Sequence, residues 1–270
     1  MRALFWTIFS VLVFGVVAYA QPAGDRSPII PTPGTGGAAP GKLTLNPNIP
    51  IDARLIKWEE AFRGVGSIVV KPLYRTDKLK KGETHWEGEA RYLKPNLAAL
   101  RLIQKEDPKI YELVISTGNF VYEYRPEFKR LVVHEVDPRN GNFDNNLLSF
   151  LFGMTAAEAK ARYELTLSKE NADYIYIDIL PRHEADKREF TRAQIVFFAA
   201  TTLPRRLWFE KPNGDQVTWD LPEMDTKVRL APTDFRPPQA PPGWETIKEP
   251  LNPAPPGDGK PRIIRPTSGK

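Results

Sequence analysis

The stretch NFVYEYRPEFKRLVVHEV, residues 119–136, contains two runs of alternating side chains with a short turn between them. Phe120, Tyr122 and Tyr124 occupy alternate positions, and this spacing sends all three rings to one face of a β-strand. The strand RLVVHEV follows after only three residues, so the two strands must be antiparallel. The rings either fill a closed core or line a cavity that holds a ligand.

The same period of two continues on both sides of this hairpin, with short connections between the runs. These features predict about ten antiparallel strands in a single sheet. Several strands carry one apolar side, which a curved sheet would bury by folding over helices. The predicted strands outside the hairpin lie at residues 67–76, 84–94, 97–105, 110–117, 161–169, 173–181, 190–198, 203–211 and 216–222.

Helical spacing appears in two places. Before the first strand, Leu55, Trp58 and Phe62 follow Ile51 at steps typical of one helix face, and Asp52 is the expected N-cap. Residues 142–167 predict two further helical pieces, of which 145–154 is apolar almost all round. Thr155 and Glu158 form a capping box that opens the second piece. We therefore predict an α+β fold, a single curved antiparallel sheet forming an incomplete β-barrel with helices over its concave face.

The two ends of the chain differ from the middle. Residues 1–20 have a positive start, an apolar run and a small-x-small site, which predict a secretory signal peptide, with an uncleaved anchor as the alternative. Residues 21–49 are rich in Pro and Gly and predict a linker. The folded domain is expected at 50–245, followed by a Pro-rich basic disordered tail at 246–270.

The sequence contains few motifs that are typical of catalytic, nucleotide-binding or metal-binding sites. The chain has no G-x-S-x-G, P-loop, G-x-G-x-x-G or H-E-x-x-H pattern, and it has no cysteine, so disulfides and thiolate chemistry are excluded. His183, Glu184 and Asp186 lie close together and are either metal ligands or a polar loop. An enzyme site built from remote residues stays open. No catalytic residue, cofactor or bound metal is predicted.

Nucleic acid is not expected as a partner. Aromatic and basic side chains do alternate in RRLWFEK and VYEYRPEFKR, as on a base-stacking platform. Glutamates in the same strands, such as Glu123 and Glu210, dilute the positive field that such binding requires.

The segments YLKPN at 92–96, ISTGNFVYEYRPEFKR at 115–130 and FRPPQAPPGWE at 235–245 resemble the bacterial outer-membrane lipoprotein carrier family. The resemblance runs weakly over about residues 50–245. The segments YIYIDILPR and LWFEKPNGDQVTWDLP resemble a secreted family common in planctomycetes still more closely. The carrier resemblance implies a half-barrel that holds acyl chains under a helical lid. It also places Lys94 where the carriers have an Arg that latches the lid, and Lys lacks the bidentate fork of Arg.

From residues and resemblance together we predict a secreted or periplasmic, non-enzymatic protein that shelters acyl chains of a lipid or lipoprotein. A monomer is expected, and envelope membrane proteins are candidate partners. The alternative is a structural or sensor module of the envelope with the same fold, since fold does not determine function. Trp208 alternates with Phe209, so only one of them can point inward. The candidate cavity residues are Phe120, Tyr122, Tyr124, Phe150, Phe152, Phe209 and Trp219, with segment 145–154 as the lid.

Overall fold

The computed structural model describes residues 45–136 and 154–249 of the chain. Its helices are α1 (Pro50–Ala61), α2 (Ala156–Arg162) and α3 (Glu184–Lys187), with 3-10 turns at Pro126–Phe128 and Pro232–Phe235. The strands are β1 Ser67–Leu79, β2 Gly82–Leu93, β3 Leu97–Gln104, β4 Tyr111–Thr117, β5 Phe120–Arg125, β6 Arg130–Glu135, β7 Tyr163–Glu170, β8 Tyr174–Pro181, β9 Arg192–Phe198, β10 Pro204–Glu210, β11 Gln216–Asp220, β12 Met224–Asp225 and β13 Glu245–Glu249. Within these two ranges, no helix has the length and apolar character needed to cross a membrane.

All strands join one 13-stranded sheet, in the order β13-β6-β5-β4-β3-β2-β1-β11-β10-β9-β8-β7, with β12 beside β1. Neighbouring strands are antiparallel except β13, which runs parallel to β6. The end strands β13 and β7 do not pair with each other, so the described sheet is open. The predicted fold class, a single antiparallel sheet in the form of an incomplete barrel, is confirmed.

Alternation along the strands gives the sheet two distinct faces. One face packs against α1, where the Trp58 ring lies 6.0 Å from the ring of Phe197 on β9. We call this the inner face and the opposite side the outer face. The largest group of buried apolar side chains lies on the inner face and includes Leu55 of α1 with Ile177 and Leu207 of the sheet.

The two predicted helix starts had different outcomes. The apolar face of α1 is confirmed, because Leu55 and Trp58 are buried. Asp52 does not cap this helix: the N-cap is Ile49, and the Asp52 carboxylate instead accepts hydrogen bonds from the Asn46 backbone N–H at 2.9 Å and the Lys160 ammonium at 2.6 Å. The capping box of α2 is confirmed, with the Thr155 hydroxyl accepting from the Glu158 backbone N–H at 3.2 Å.

A close approach of two strands explains the glycine in the middle of β2. A Cβ placed on Gly88 would lie 1.8 Å from the carbonyl oxygen of Arg101 on β3. Gly88 also pairs with Leu73, immediately after the point where the register of β1 shifts. Because any larger residue would push β3 away, glycine is required here for the sheet to bend at this position.

The C-terminal segment, residues 232–249, covers the outer face of strands β3, β4 and β5. Phe235 is buried in the turn that contacts β3 and β4. The Trp244 ring lies 6.4 Å from that of Tyr124, and the Tyr124 hydroxyl donates a hydrogen bond to the carbonyl of Pro238. The segment ends in β13, which was not among the predicted strands, and Arg130 bonds Glu245 there at 2.9 Å.

Candidate functional site

The inner face of β2 and β3 carries small apolar side chains that are only partly buried. Gly88 and Ala90 of β2 lie beside Ala98 and Leu100 of β3 on this face, and we call these four residues the open patch. The three apolar side chains pack against the edge of the main core. Glycine and alanine project little from the sheet, so the open patch is a shallow apolar surface that is partly exposed.

One end of the open patch is bounded by a cluster of polar side chains, which we call the polar belt. Arg75 of β1 is at its centre and donates to both oxygens of Glu112 on β4, at 2.6 and 2.7 Å. Arg75 also lies 3.1 Å from the carboxylate of Asp77. The belt consists of Arg75, Asp77, Gln104, Glu112 and Lys211.

The Arg75–Glu112 contact shows that this part of the sheet is strongly curved. Strands β2 and β3 separate β1 from β4, so three strand spacings, about 14 Å on a flat sheet, lie between the two backbones. Side chains stand roughly perpendicular to a sheet and converge only on its concave side. A bidentate contact across this span therefore makes the inner face concave.

Two tryptophans shield the central arginine from water. The Arg75 guanidinium lies 4.6 Å from the Trp86 ring centroid and 5.3 Å from that of Trp219. The Trp86 indole N–H donates to Asp77 at 3.0 Å. Burial lowers the pKa of Arg75, but Glu112 and Asp77 raise it by more, so its pKa is above the ordinary value and it remains a cation.

Several atoms of the polar belt have no hydrogen-bond partner among the described residues. Asp77 is 1% exposed, yet its Oδ1 is unpaired, and so are the buried Oε1 of Gln104 and Nε of Arg75. The Lys211 ammonium forms no hydrogen bond or ion pair with the described part of the chain. Its pKa is below the ordinary value, because the effect of burial exceeds the opposing effects of Asp77 and Asp215. Buried polar groups in proteins are normally paired, so this cluster differs from an ordinary core.

Two of the predicted cavity residues lie on the inner face. Phe209 and Trp219 are both buried in the main core, beside β1 and the polar belt. Trp208 points to the outer face, where the Arg192 guanidinium lies 5.3 Å from its ring centroid. Contact of Phe209 or Trp219 with a ligand remains a prediction.

The three rings of β5 lie on the other face. Val114 and Ser116 on the inner face of β4 pair with Glu123 and Val121, so Phe120, Tyr122 and Tyr124 face outward. The expectation that they share the concave side with Trp219 is wrong.

The physical reason is that both faces of β5 are covered. Glu123 can be buried on the inner face because Arg125 donates to both of its oxygens at 2.7 Å. On the outer face, burial increases from Phe120, 38% exposed, to Tyr124, 4% exposed under the C-terminal segment.

The lid and its latch are only partly within the described residues. Phe150 and Phe152, and nearly all of segment 145–154, lie outside them. Lys94 is exposed, and its side chain makes no ion pair with another described residue. Two contacts tie α2 to α1: the Lys160 ammonium lies 2.6 Å from the Asp52 carboxylate, and the Ala156 backbone N–H donates to Glu59 at 3.0 Å.

The polar loop at 181–190 does not assemble a metal site. The side chain of Glu184 is 80% exposed and pairs with Lys187. Asp186 is buried and accepts from Arg162 at 2.5 and 2.9 Å, which joins the end of α2 to α3. Across residues 45–136 and 154–249, no three His, Cys, Asp or Glu side chains converge as metal ligands do.

Comparison with known proteins gives similarity at the level of structure only. No family model matches the chain, and no curated protein matches it. An uncharacterized conserved protein from Thermus thermophilus has 11% identity and a TM-score of 0.45, covering 73% of this chain and 98% of its own. A LolA superfamily protein from Nitrosomonas europaea has 10% identity and a TM-score of 0.36, covering 69% of this chain and 97% of its own.

A third similar structure is the MucA/MucB complex of Pseudomonas aeruginosa. Its matched chain has 13% identity and a TM-score of 0.39, covering 70% of this chain and 61% of its own. At these identities the similarity concerns the arrangement of strands and helices and assigns neither an activity nor a partner to this chain.

Proposed function

We propose that this protein binds the acyl chains of a lipid or lipoprotein along the inner face of its half-barrel. The observation that carries the proposal is the open patch, an apolar surface on the concave side of a sheet whose end strands remain apart. Elsewhere on the inner face large side chains such as Phe209 and Trp219 are buried in the core. On the open patch three of the four residues are glycine or alanine, and Ala90, Ala98 and Leu100 remain partly exposed.

The energetics favour an alkyl ligand at such a surface. Each CH₂ group moved from water into an apolar site contributes about 0.8 kcal/mol, so a chain of moderate length binds usefully even after ordering costs. Ala90 and Ala98 leave space for the chain, and Leu100 provides a wall beside it. The curvature set by Arg75 and Glu112 turns this surface into a groove.

The remaining features of the proposal come from the sequence. The apolar N-terminal run of residues 3–20 supports export to the periplasm or the exterior, where acylated envelope components occur. Segment 145–154 is proposed as the lid over the groove, and the protein acts without catalysis, as a monomer. Its donor or acceptor would be a membrane protein of the envelope.

The decisive experiment compares fatty-acid binding by two variants. One carries a phenylalanine on the open patch, and the other carries it on the outer face of the same strand. Ala98→Phe puts a ring on the open patch, whereas Arg101→Phe puts one on the exposed outer side of the same strand. Binding of a fluorescent fatty acid to the full chain is expected to weaken by about tenfold or more in Ala98→Phe only.

Organic extraction followed by mass spectrometry provides an independent check. The purified wild-type protein should carry lipid that Ala98→Phe lacks. Equal fatty-acid affinity in the two variants, or no uptake by the wild type together with no co-purifying lipid, would overturn the proposed function.

A further inference from the structure

We propose that the polar belt binds the uncharged, hydroxyl-bearing headgroup of the amphiphile whose chain lies on the open patch. This inference rests on the proposed function, because the belt and the patch lie on the same inner face of the sheet. Gln104 and Leu100 lie on the same face of β3, four residues and about 13 Å apart. An amphiphile with a chain of ordinary length spans this distance, although Leu102, which lies between them on β3, is itself fully buried.

The unpaired atoms of the belt determine which hydrogen-bond donors and acceptors the headgroup must have. Asp77 Oδ1 and Gln104 Oε1 are buried acceptors that need donors. Arg75 Nε is a buried donor that needs an acceptor, and the Lys211 ammonium is a nearby donor without a bonded partner in the described part of the chain. Since a buried polar group is normally bonded, and these have no partner among the described residues, a ligand group that both donates and accepts would complete the cluster.

The belt contains two cations, Arg75 and Lys211, and two carboxylates, so it disfavours an ionic headgroup of either sign. A phosphate would face the carboxylates of Asp77 and Glu112, which are already shared with Arg75. A quaternary ammonium has no hydrogen to donate to Asp77 and would lie near the cations of Arg75 and Lys211. A hydroxyl group can donate to Asp77 Oδ1 and accept from Lys211, with no charge to desolvate.

The experiment compares three amphiphiles with the same chain length and different headgroups. Monolauroylglycerol, lauric acid and dodecylphosphocholine are titrated below their micelle concentrations into the full chain, and affinity is measured by calorimetry. The wild type is expected to bind monolauroylglycerol about tenfold more tightly than the other two. Equal affinity for all three would overturn the headgroup assignment and leave the proposed function intact, whereas no binding of any would overturn both.

Two variants test the assigned atoms. Gln104→Leu and Lys211→Met remove an unpaired acceptor and an unpaired donor, so each is expected to abolish the preference for monolauroylglycerol. Lys105→Met is the matched control, because Lys105 directly follows Gln104 and its half-exposed ammonium pairs with Glu87. It should retain the preference.

The stability of the same variants separates a binding role from a structural one. Groups without partners do not hold the fold together, so both belt variants should unfold in urea at the same concentration as the wild type or a higher one. Variants that are destabilised yet keep the wild-type preference would show that Gln104 and Lys211 are structural, and the inference would be wrong.

Discussion

The inner face of the sheet contains two regions whose side chains differ in how completely they are buried. On β8, β9 and β10, which we call the packed half, branched and aromatic side chains are almost fully excluded from water; they include Ile175, Ile177, Ile179, Ile195 and Leu207. On β2 and β3, Ala90, Ala98 and Leu100 remain partly exposed, although Tyr92 and Leu102 on the same strands are buried. The packed half contacts α1 through Trp58, whereas the open patch ends at the polar belt.

This difference shows that one continuous sheet can serve two purposes. The packed half supplies the apolar burial that stabilises the domain in a chain without disulfides. The open patch has glycine or alanine at three of its four positions, where the packed half has large residues, and it is next to charged groups that a sealed core would exclude. The following predictions test whether the two regions differ in this way.

The largest expected effect is on the packed half. Ile177→Ala should lower the free energy of unfolding by about 2–5 kcal/mol, because it leaves a cavity in a filled interior. Leu100→Ala on the open patch should cost less than about 2 kcal/mol, since its side chain is already partly exposed. Urea denaturation of both variants checks this, and equal losses would contradict the distinction between the regions.

A smaller effect is expected at Glu189, which follows α3 at the margin of the packed half. Burial raises its pKa from the ordinary 4.5 to about 7, Asp186 adds to this and Arg162 opposes it. The pKa of Glu189 is higher in the folded state than in the unfolded state, so ionisation of this side chain lowers the free energy of unfolding. This loss is absent below about pH 4.5 and complete above about pH 7.

Glu189→Gln should remove that loss. The shift corresponds to about 3 kcal/mol, and because the side chain is not fully buried, we expect a gain of about 1–2 kcal/mol at pH 8 and none at pH 4. Urea denaturation at several pH values measures this difference. A gain of the same size at both ends of the range would mean that Glu189 does not titrate with folding.

The smallest effect concerns the outer face of β5, under the C-terminal segment. Tyr124→Phe removes the hydrogen bond to Pro238 and should cost about 1 kcal/mol, measured by urea denaturation. Tyr176→Phe provides a control on the outer face of β8, where the ring contacts Tyr174 and Lys169 and its hydroxyl donates no bond to another described residue. If both variants lost the same stability, the C-terminal segment would not be held through Tyr124.

Most of the fold could be predicted because local patterns determine it. The period of two located the strands from β1 to β11, and Thr155 with Glu158 located the start of α2. β13 was missed because its sequence ETIKE has one large apolar residue, and the strand forms only by pairing with the distant β6. A pairing of that kind leaves no alternation in the sequence.

The site was harder to predict than the fold. When a strand is covered on both faces, its sequence pattern does not indicate which face lies on the inner side of the sheet. In β5 the aromatic rings suggested the concave side, but that side carries Glu123, neutralised by Arg125. Arg75 and Asp77 were overlooked, although they continue the inward positions of β1 after Leu73. Charges at inward positions of an alternating strand were the available signal for the polar belt.

The most direct test of the central claim is methyl NMR of the full chain with a spin-labelled fatty acid. If acyl chains lie on the open patch, the methyl signals of Ala90, Ala98 and Leu100 should broaden first as the probe is added. Those of Ile177 and Ile195 in the packed half should change least. Broadening that begins instead at outer-face methyls such as Ile115, with Ala98 unaffected, would contradict the account.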